Sequence, residues 1–424
     1  MKNFTLTVAL FGLLMFSLVI PVGASSAGWS QTYGGTENDG TLSLVQTSDG
    51  GYAMVGYTRS FGAGEDDFWL IKTDEDGNMR WNRTYGGAGS DIASCLIETS
   101  DGGYALVGYT GSFGAGSDDF WFVKTDEIGN MQWNRTYGGT DGDYAFSLVE
   151  TSDGGYTIAG YTRSYGAGRD DFWLIKVDSS GNAEWNQTYG GWDDEGTISL
   201  VQTSDRGYAL AGMTESFGHG SDRDDFWLVK TDSSGNMEWN HTYGGTIREY
   251  GFCLVETSDG GYAMAGSTCS FGAGNHDSWL VKTDAFGNME WNQTYGGTDA
   301  DGSSSLIQTA DGGYVLAGST NSFGAGEDDF WLIKTDEAGN MQWKQTYGGA
   351  GADIASSLIE TSDGGYAIAG YTFSDGAVNS DAWLVKTDEQ GVIPEFPSLI
   401  ILPLFMITAL FAIVIKKNVF HPIS

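Results

Sequence analysis

Cysteine, histidine, proline and positive charge are all scarce in this chain, and each scarcity excludes something. Its 424 residues hold three cysteines, an odd number with no framework of spacings, which argues against a disulfide-stapled scaffold. Cys95 and Cys253 stand where other copies of an internal repeat carry serine and read as small buried residues, and no spacing pattern supports a bond between Cys253 and Cys269. The four histidines, His219, His241, His276 and His421, show neither zinc-ligand nor catalytic-triad spacing. Lys and Arg number 20 against 56 Asp and Glu, a net charge of -36, so the surface field repels phosphate backbones and nucleic acid is excluded as a partner. Five prolines against 65 glycines mean that the turns are made by glycine, and an aromatic content of 14% excludes a disordered chain.

What is present is repetition. Trp29, Trp81, Trp133, Trp185, Trp239, Trp291 and Trp343 recur at spacings of 52, 52, 52, 54, 52 and 52 residues. One unit, read from Gly40, contains four strand-like runs (GTLSLVQT, GYAMVGYT, DFWLIKTD and MRWNRTYGG, here strands a to d) separated by Gly- and Asp-rich turns. In strand c, Phe68 and Leu70 alternate with Trp69 and Ile71, so both faces are apolar and both require cover. Strand d places Trp81, Arg83 and Tyr85 on one face and Arg80, Asn82 and Thr84 on the other, as expected of an outermost strand with one wet side. A ring of four-stranded antiparallel blades packed face to face satisfies both patterns, so the expected fold is an all-β, seven-bladed β-propeller over residues 28–392. A d-type segment, residues 28–35, precedes the first a-b-c set, and none follows the seventh, which predicts that the leading segment completes the last blade and closes the ring.

The two ends have a different character. Lys2, the apolar stretch Phe4 to Val22 and the small residues after it match a secretory signal over residues 1–27. After a short linker at 393–398, residues 399–415 are apolar apart from Thr408 and are followed by Lys416 and Lys417. This segment predicts a transmembrane helix or a sorting segment, with 416–424 as a basic cytoplasmic tail and the propeller outside the cell.

The run DGGYALVGYT with DDFWFVKTDEIGNMQW, residues 101–133, resembles the blade repeats of PQQ-like propellers and, more closely, the Gly-rich propeller repeats of archaeal and bacterial surface proteins. Quinone-binding members of the first group use adjacent cysteines and a bound calcium; no two cysteines are adjacent here, so the resemblance implies the fold without the cofactor. Pro394-Glu395-Phe396 with the apolar run behind it resembles the PEF-type sorting signals of archaeal surface proteins, which implies either cleavage and re-anchoring or retention as a simple span.

Several residue sets invite a chemical reading. Asp39, Asp91, Asp143, Glu195, Glu249, Asp301 and Asp353 each lie ten residues after a repeat Trp, at the start of strand a, and a second acid, Asp67 and its equivalents, opens strand c. Oxygen ligands in number suit Ca²⁺. Their spacing matches no calcium loop, however, and hydrogen bonding to loop N–H groups is the preferred reading, with no other cofactor expected. Lys72 and its six equivalents are expected to pair with Asp49 or Gln46 and their counterparts. Asn82, Asn134, Asn186, Asn240 and Asn292 open N-x-Thr sequons on strand d, glycosylation sites or polar ladders. Trp69, Tyr52 and Tyr85 with their equivalents are assigned to the core between blades. Trp192 alone falls outside the Trp pattern, beside Asp193 and Asp194. His219, Asp222 and Arg223 occupy the one b-to-c loop with a two-residue insertion, and His276 sits in the next such loop; these are the candidate ligand loops. Near-identical blades argue against an enzyme, which needs unlike residues converging on one spot. The expected function is a monomeric, membrane-anchored, non-catalytic scaffold that binds extracellular protein or glycan. A structural role in the cell envelope and a propeller hydrolase or lyase using the His219 loop are the alternatives.

Overall fold

The computed structural model describes residues 28–219, 224–374 and 379–393. The chain opens with β1 (Trp29–Tyr33), followed by β2 (Asp39–Gln46), β3 (Tyr52–Thr58), β4 (Asp67–Thr73) and β5 (Met79–Tyr85). Strands β6 to β25, from Asp91 to Tyr347, repeat β2–β5 five times, and β26 (Asp353–Glu360), β27 (Tyr366–Thr372) and β28 (Asp381–Thr387) end the series. The result is seven antiparallel four-stranded sheets, six in the simple order a-b-c-d and one in the order β1-β28-β27-β26. The borrowed strand anticipated from the sequence is therefore present: Trp29 pairs with Lys386 and Tyr33 with Ala382.

Strand a of each blade neighbours strand a of the next, and β2 neighbours β26, so the a strands line a central channel and the ring is closed. The closing seam repeats two bonds of the other junctions, at Asp39 and Ser362, and adds one from Thr41, where four other blades carry Ala or Gly. Asp39 N–H donates to Ser380 O at 2.8 Å, Thr41 Oγ1 to Gly370 O at 2.8 Å and Ser362 N–H to Gln46 Oε1 at 2.8 Å.

Packing between blades follows from the two apolar faces of strand c. Phe68 meets Trp121 of the next blade with ring centroids 4.5 Å apart, and Phe120–Trp173, Phe172–Trp227, Phe226–Trp279 and Phe330–Trp383 repeat the contact at 4.5–4.8 Å. Each buried Phe stabilises its junction by about 2–3 kcal/mol through apolar area alone. Two junctions depart from the rule: Ala382 replaces Phe at the closing seam, and at the fifth junction buried Ser278 hydrogen-bonds Ser303. A second link runs from each d strand to the next c-to-d turn, where Tyr33 Oη donates to Gly77 O at 2.6 Å and six equivalent tyrosines do the same. Gly77 has φ +77°, and the Trp29 indole lies against it where any Cβ would collide, so both the turn and the close approach require glycine.

Among the described residues there is no helix, and so none long and apolar enough to cross a membrane. The signal-like segment 1–27 and residues 394–424, which hold the PEF motif, the apolar run and the basic tail, lie outside the described residues.

Candidate binding face

The two ends of the channel differ. On the short-turn face, formed by the a-to-b and c-to-d turns, the a-to-b turns are nearly identical, while the c-to-d turns differ at two tip residues, where Ile128 and Phe286 are exposed. All seven lysines of the set pair with their aspartates at 2.8–3.0 Å, from Lys72–Asp49 to Lys386–Asp363. Burial raises the Asp49 carboxyl, but hydrogen bonds from Thr47, Lys72 and Gly51 outweigh it and hold the group at about 2. A recess of about 610 Å³ at this end, lined by Val255, Glu256, Ile307 and Gln308 among others, is built from the same repeated positions and carries no blade-specific chemistry.

On the opposite face, formed by the b-to-c and d-to-a loops, the acids at the start of strand a are buried, at most 2% exposed. Asp39 accepts from Gly35 N–H at 2.8 Å, from Ser60 Oγ at 2.6 Å and from Thr58 Oγ1, and so ties one d-to-a loop to one b-to-c loop. Glu195 and Glu249, with a longer side chain, keep the bonds from the glycine N–H and the threonine hydroxyl and accept from the Ser216 and Ser270 N–H groups. Asp67 accepts from Ala63 N–H at 2.6 Å. Its other oxygen crowds Gly86, as does a carboxylate oxygen of Asp91, so a Cβ there would strike both. Each junction thus holds two carboxylates in proximity. Burial pushes the Asp67, Asp171 and Asp329 carboxyls up, and takes Asp225 up to about 6 with Glu249 adding to the rise and His219 opposing it. No group of three or more His, Cys, Asp or Glu side chains with metal-binding geometry occurs among the described residues.

The remaining candidates are placed as follows. Trp192 is 84% exposed on its d-to-a loop, next to Asp194, which ion-pairs Arg169 at 3.6 Å. His219 is held within its own loop by Asp225, Nδ1 to Oδ2 2.7 Å, and His276 within its own by Cys269, Nδ1 to Sγ 3.1 Å. Asp222 and Arg223 lie outside the described residues. The sequon asparagines project from strand d, exposed in four copies and half-buried at Asn82, and the amide oxygen of each of the five accepts from the strand-c indole N–H at 3.1–3.4 Å. That contact covers part of a face expected to be wet. Where Lys344 replaces the asparagine, its ammonium lies 3.0 Å from the Phe323 ring centroid instead.

Comparison of the copies reveals a feature that the periodicity conceals. Their differences collect at the inner rim of this face: the residue after strand b, the residue before strand c, and the loop-proximal positions of strands a and b. Tyr144 stands 4.9 Å from Tyr109 and 5.1 Å from Tyr161, and donates to Asp118 at 2.8 Å. Phe146 stacks on Tyr161 at 5.6 Å and Arg163 lies over Tyr144 at 5.9 Å. With half-buried Tyr57 and Tyr371, these rings form an aromatic arc over blades 7, 1, 2 and 3, whereas Met213, Ser267 and Ser319 occupy the matching strand-b position in blades 4 to 6. Burial raises the Tyr109 phenol to about 12, helped by Asp118 and Asp66. Arg59–Asp66 and Arg163–Asp170 clip two of the loops at 2.7 and 2.6 Å, and Glu215 meets Asp224 in the fourth, where burial and that neighbour push its carboxyl up.

No family model matches the chain. The WD40 domain of Pan2 from Neurospora crassa superposes with a TM-score of 0.51 at 11% identity, covering 85% of this chain and 99% of that one, which shows a shared WD40-like propeller fold and nothing more. Sqt1 from Chaetomium thermophilum gives a TM-score of 0.47 at 13% identity, covering 81% and 83% of the two chains. In sequence, the regulatory protein FlaEY of Caulobacter vibrioides is 28% identical over 203 residues, 39% of this chain, and the match spans only 21% of that protein's length.

Proposed function

We propose that this chain is a non-catalytic scaffold that binds a protein partner across the inner rim of the b-to-c/d-to-a face. The observation that carries the reading is an aromatic and acidic cluster built from positions where the copies differ: at the inner rim of this face Tyr57, Tyr109, Tyr144, Tyr161 and Tyr371 gather beside Asp66, Asp118 and Asp170, whereas the a-to-b turns at the other end of the channel are nearly uniform. Half-buried aromatic rings beside carboxylates favour a segment bearing Lys or Arg, which gains both ring contacts and ion pairing, and the net charge of -36 steers such a partner inward. The reading extends to location. The signal-like start and the apolar, lysine-ended tail support an extracellular propeller held at the membrane by its C-terminal segment, with the sequons open to glycosylation. Because Trp29 pairs with Lys386, the described chain enters and leaves on the short-turn face, which leaves the variable face pointing away from such an anchor.

The test is binding of the full chain to arrayed basic, acidic and neutral peptides and to arrayed glycans. Basic peptides should bind with an affinity that falls as salt rises, and Tyr144→Ala or Tyr161→Ala should weaken binding about tenfold or more. Glycan binding without peptide binding, or peptide binding untouched by both substitutions, would overturn the proposal.

A further inference from the structure

The residue after strand b and the residue before strand c face each other across the neck of each b-to-c loop. In blades 1 and 3 they form the ion pairs Arg59–Asp66 and Arg163–Asp170. In blade 5 the same two positions, seven residues apart as in those blades, hold Cys269 and His276, with Sγ 3.1 Å from Nδ1. The backbone fixes both: Cys269 N–H donates to Arg248 O at 2.9 Å, and His276 O accepts from Asp301 N–H at 2.8 Å. Both residues are part-exposed at the rim. Cys95 and Cys253 differ, since they pack into the junctions between blades 2 and 3 and between blades 5 and 6, where burial pushes their thiols up to about 11 and 12. No disulfide joins the three.

We infer that Cys269 and His276 form a thiolate–imidazolium pair, and that Cys269 is a covalent docking point for disulfide-bearing molecules. The neck of this loop supports an opposite-charge pair in two sister blades, and a thiol that passes its proton to the adjacent imidazole recreates one with the polarity reversed. The thiolate attacks one sulfur of an incoming disulfide; its S–S bond breaks as the new Cys269 S–S bond forms, and the departing thiolate takes up the proton held on His276. The incoming disulfide is itself the oxidant, so no other reactant is needed. The charged and titratable groups around the pair are Arg248, which ion-pairs Asp224 at 3.3 Å, Tyr250, whose ring centroid is 6.3 Å from that of His276, and buried Glu249, Asp277 and Asp301. This inference does not depend on the protein-partner reading above.

The probe is 4,4′-dithiodipyridine, an aromatic disulfide that releases a coloured thiopyridone, applied to the reduced full chain. One thiol per chain should react in a fast phase, and digestion with mass spectrometry should place the adduct on Cys269. Cys269→Ser should abolish that phase, and His276→Gln should slow it about fivefold to tenfold at pH 6.5, because the lost thiolate fraction outweighs the gain in intrinsic nucleophilicity. Between pH 6 and 8 the wild-type fast phase should be nearly flat, whereas an unassisted thiol gains about tenfold per pH unit; this profile remains decisive if the histidine variant misfolds. A fast phase that survives Cys269→Ser, an adduct on Cys95 or Cys253, or a rate that climbs tenfold per unit would overturn the assignment.

Discussion

If the ring is closed by β1, Tyr33 is worth as much as a tyrosine in an uninterrupted blade. Its side chain is 6% exposed, packs with Tyr52, Trp69 and Leu384, and donates to Gly77 O. Tyr33→Ala removes about 2–3 kcal/mol of apolar burial and about 1 kcal/mol for a buried hydrogen bond, roughly 3–4 kcal/mol together. For a cooperative unit of ~360 residues the unfolding entropy is about 0.76 kcal/mol/K, so the midpoint should fall by about 4–5 °C. Tyr189 provides the internal control: it is also 6% exposed, bonds Gly235 O at the same 2.6 Å, and sits in a blade built from contiguous chain. Thermal unfolding of both alanine variants, followed by tryptophan fluorescence and circular dichroism, should give matching losses. A silent Tyr33→Ala beside a costly Tyr189→Ala would mean that the leading strand is frayed, and the closed ring would be refuted.

Three further predictions follow from the described contacts. The carboxyls of Asp67, Asp171, Asp329 and above all Asp225 bind protons more tightly folded than unfolded, so the stability they allow is full below about pH 4 and is lost as pH rises towards 6. Asp49 and its equivalents, held at about 2, act oppositely and lose their contribution as pH falls from about 4 to 2. The melting temperature should therefore peak near pH 4–5, and a steady rise from pH 4 to 8 would contradict the carboxylate pairing. Phe120→Ala, which empties a site 1% exposed against Trp173, should cost about 3–4 kcal/mol in urea unfolding; a loss under about 1 kcal/mol would show that the Phe–Trp contact does not hold that junction. EGTA should leave the melting temperature unchanged, because Asp39 and its equivalents are engaged by N–H and hydroxyl donors; a drop beyond about 2 °C would favour the calcium reading instead.

The backbone plan was legible because it is written seven times. The Trp period, the two apolar faces around Trp69 and the unmatched segment before the first a strand led to the blade count, the strand order and the borrowed strand. The Lys72–Asp49 pairing was legible for the same reason, as both residues recur in register. Periodicity is blind to what occurs once. Tyr144 meets Tyr109 only because strand a of one blade lies beside strand b of its neighbour, and no spacing along the chain encodes that meeting. Cys269 and His276 sit at ordinary repeat positions and stand out only against the Arg–Asp pairs of sister copies. The signal that would have found both was present in the sequence: align the copies, subtract what they share, and read the remainder. The paired carboxylates were separable as two sets, but their mutual approach depends on a glycine between them, where any Cβ would collide with both.

The pairing of Trp29 with Lys386 also sets an order of assembly. Six sheets draw all four strands from neighbouring sequence and can form as the chain emerges, but β1, the first of the described strands, must wait for β28 before it has a partner. A product arrested before Thr387 would present an unsatisfied strand edge at one end and an uncovered blade face at the other. Completion of the circle is thus the step at which both liabilities disappear together, and a shortened chain would be distinguished from a finished one by what it leaves sticky.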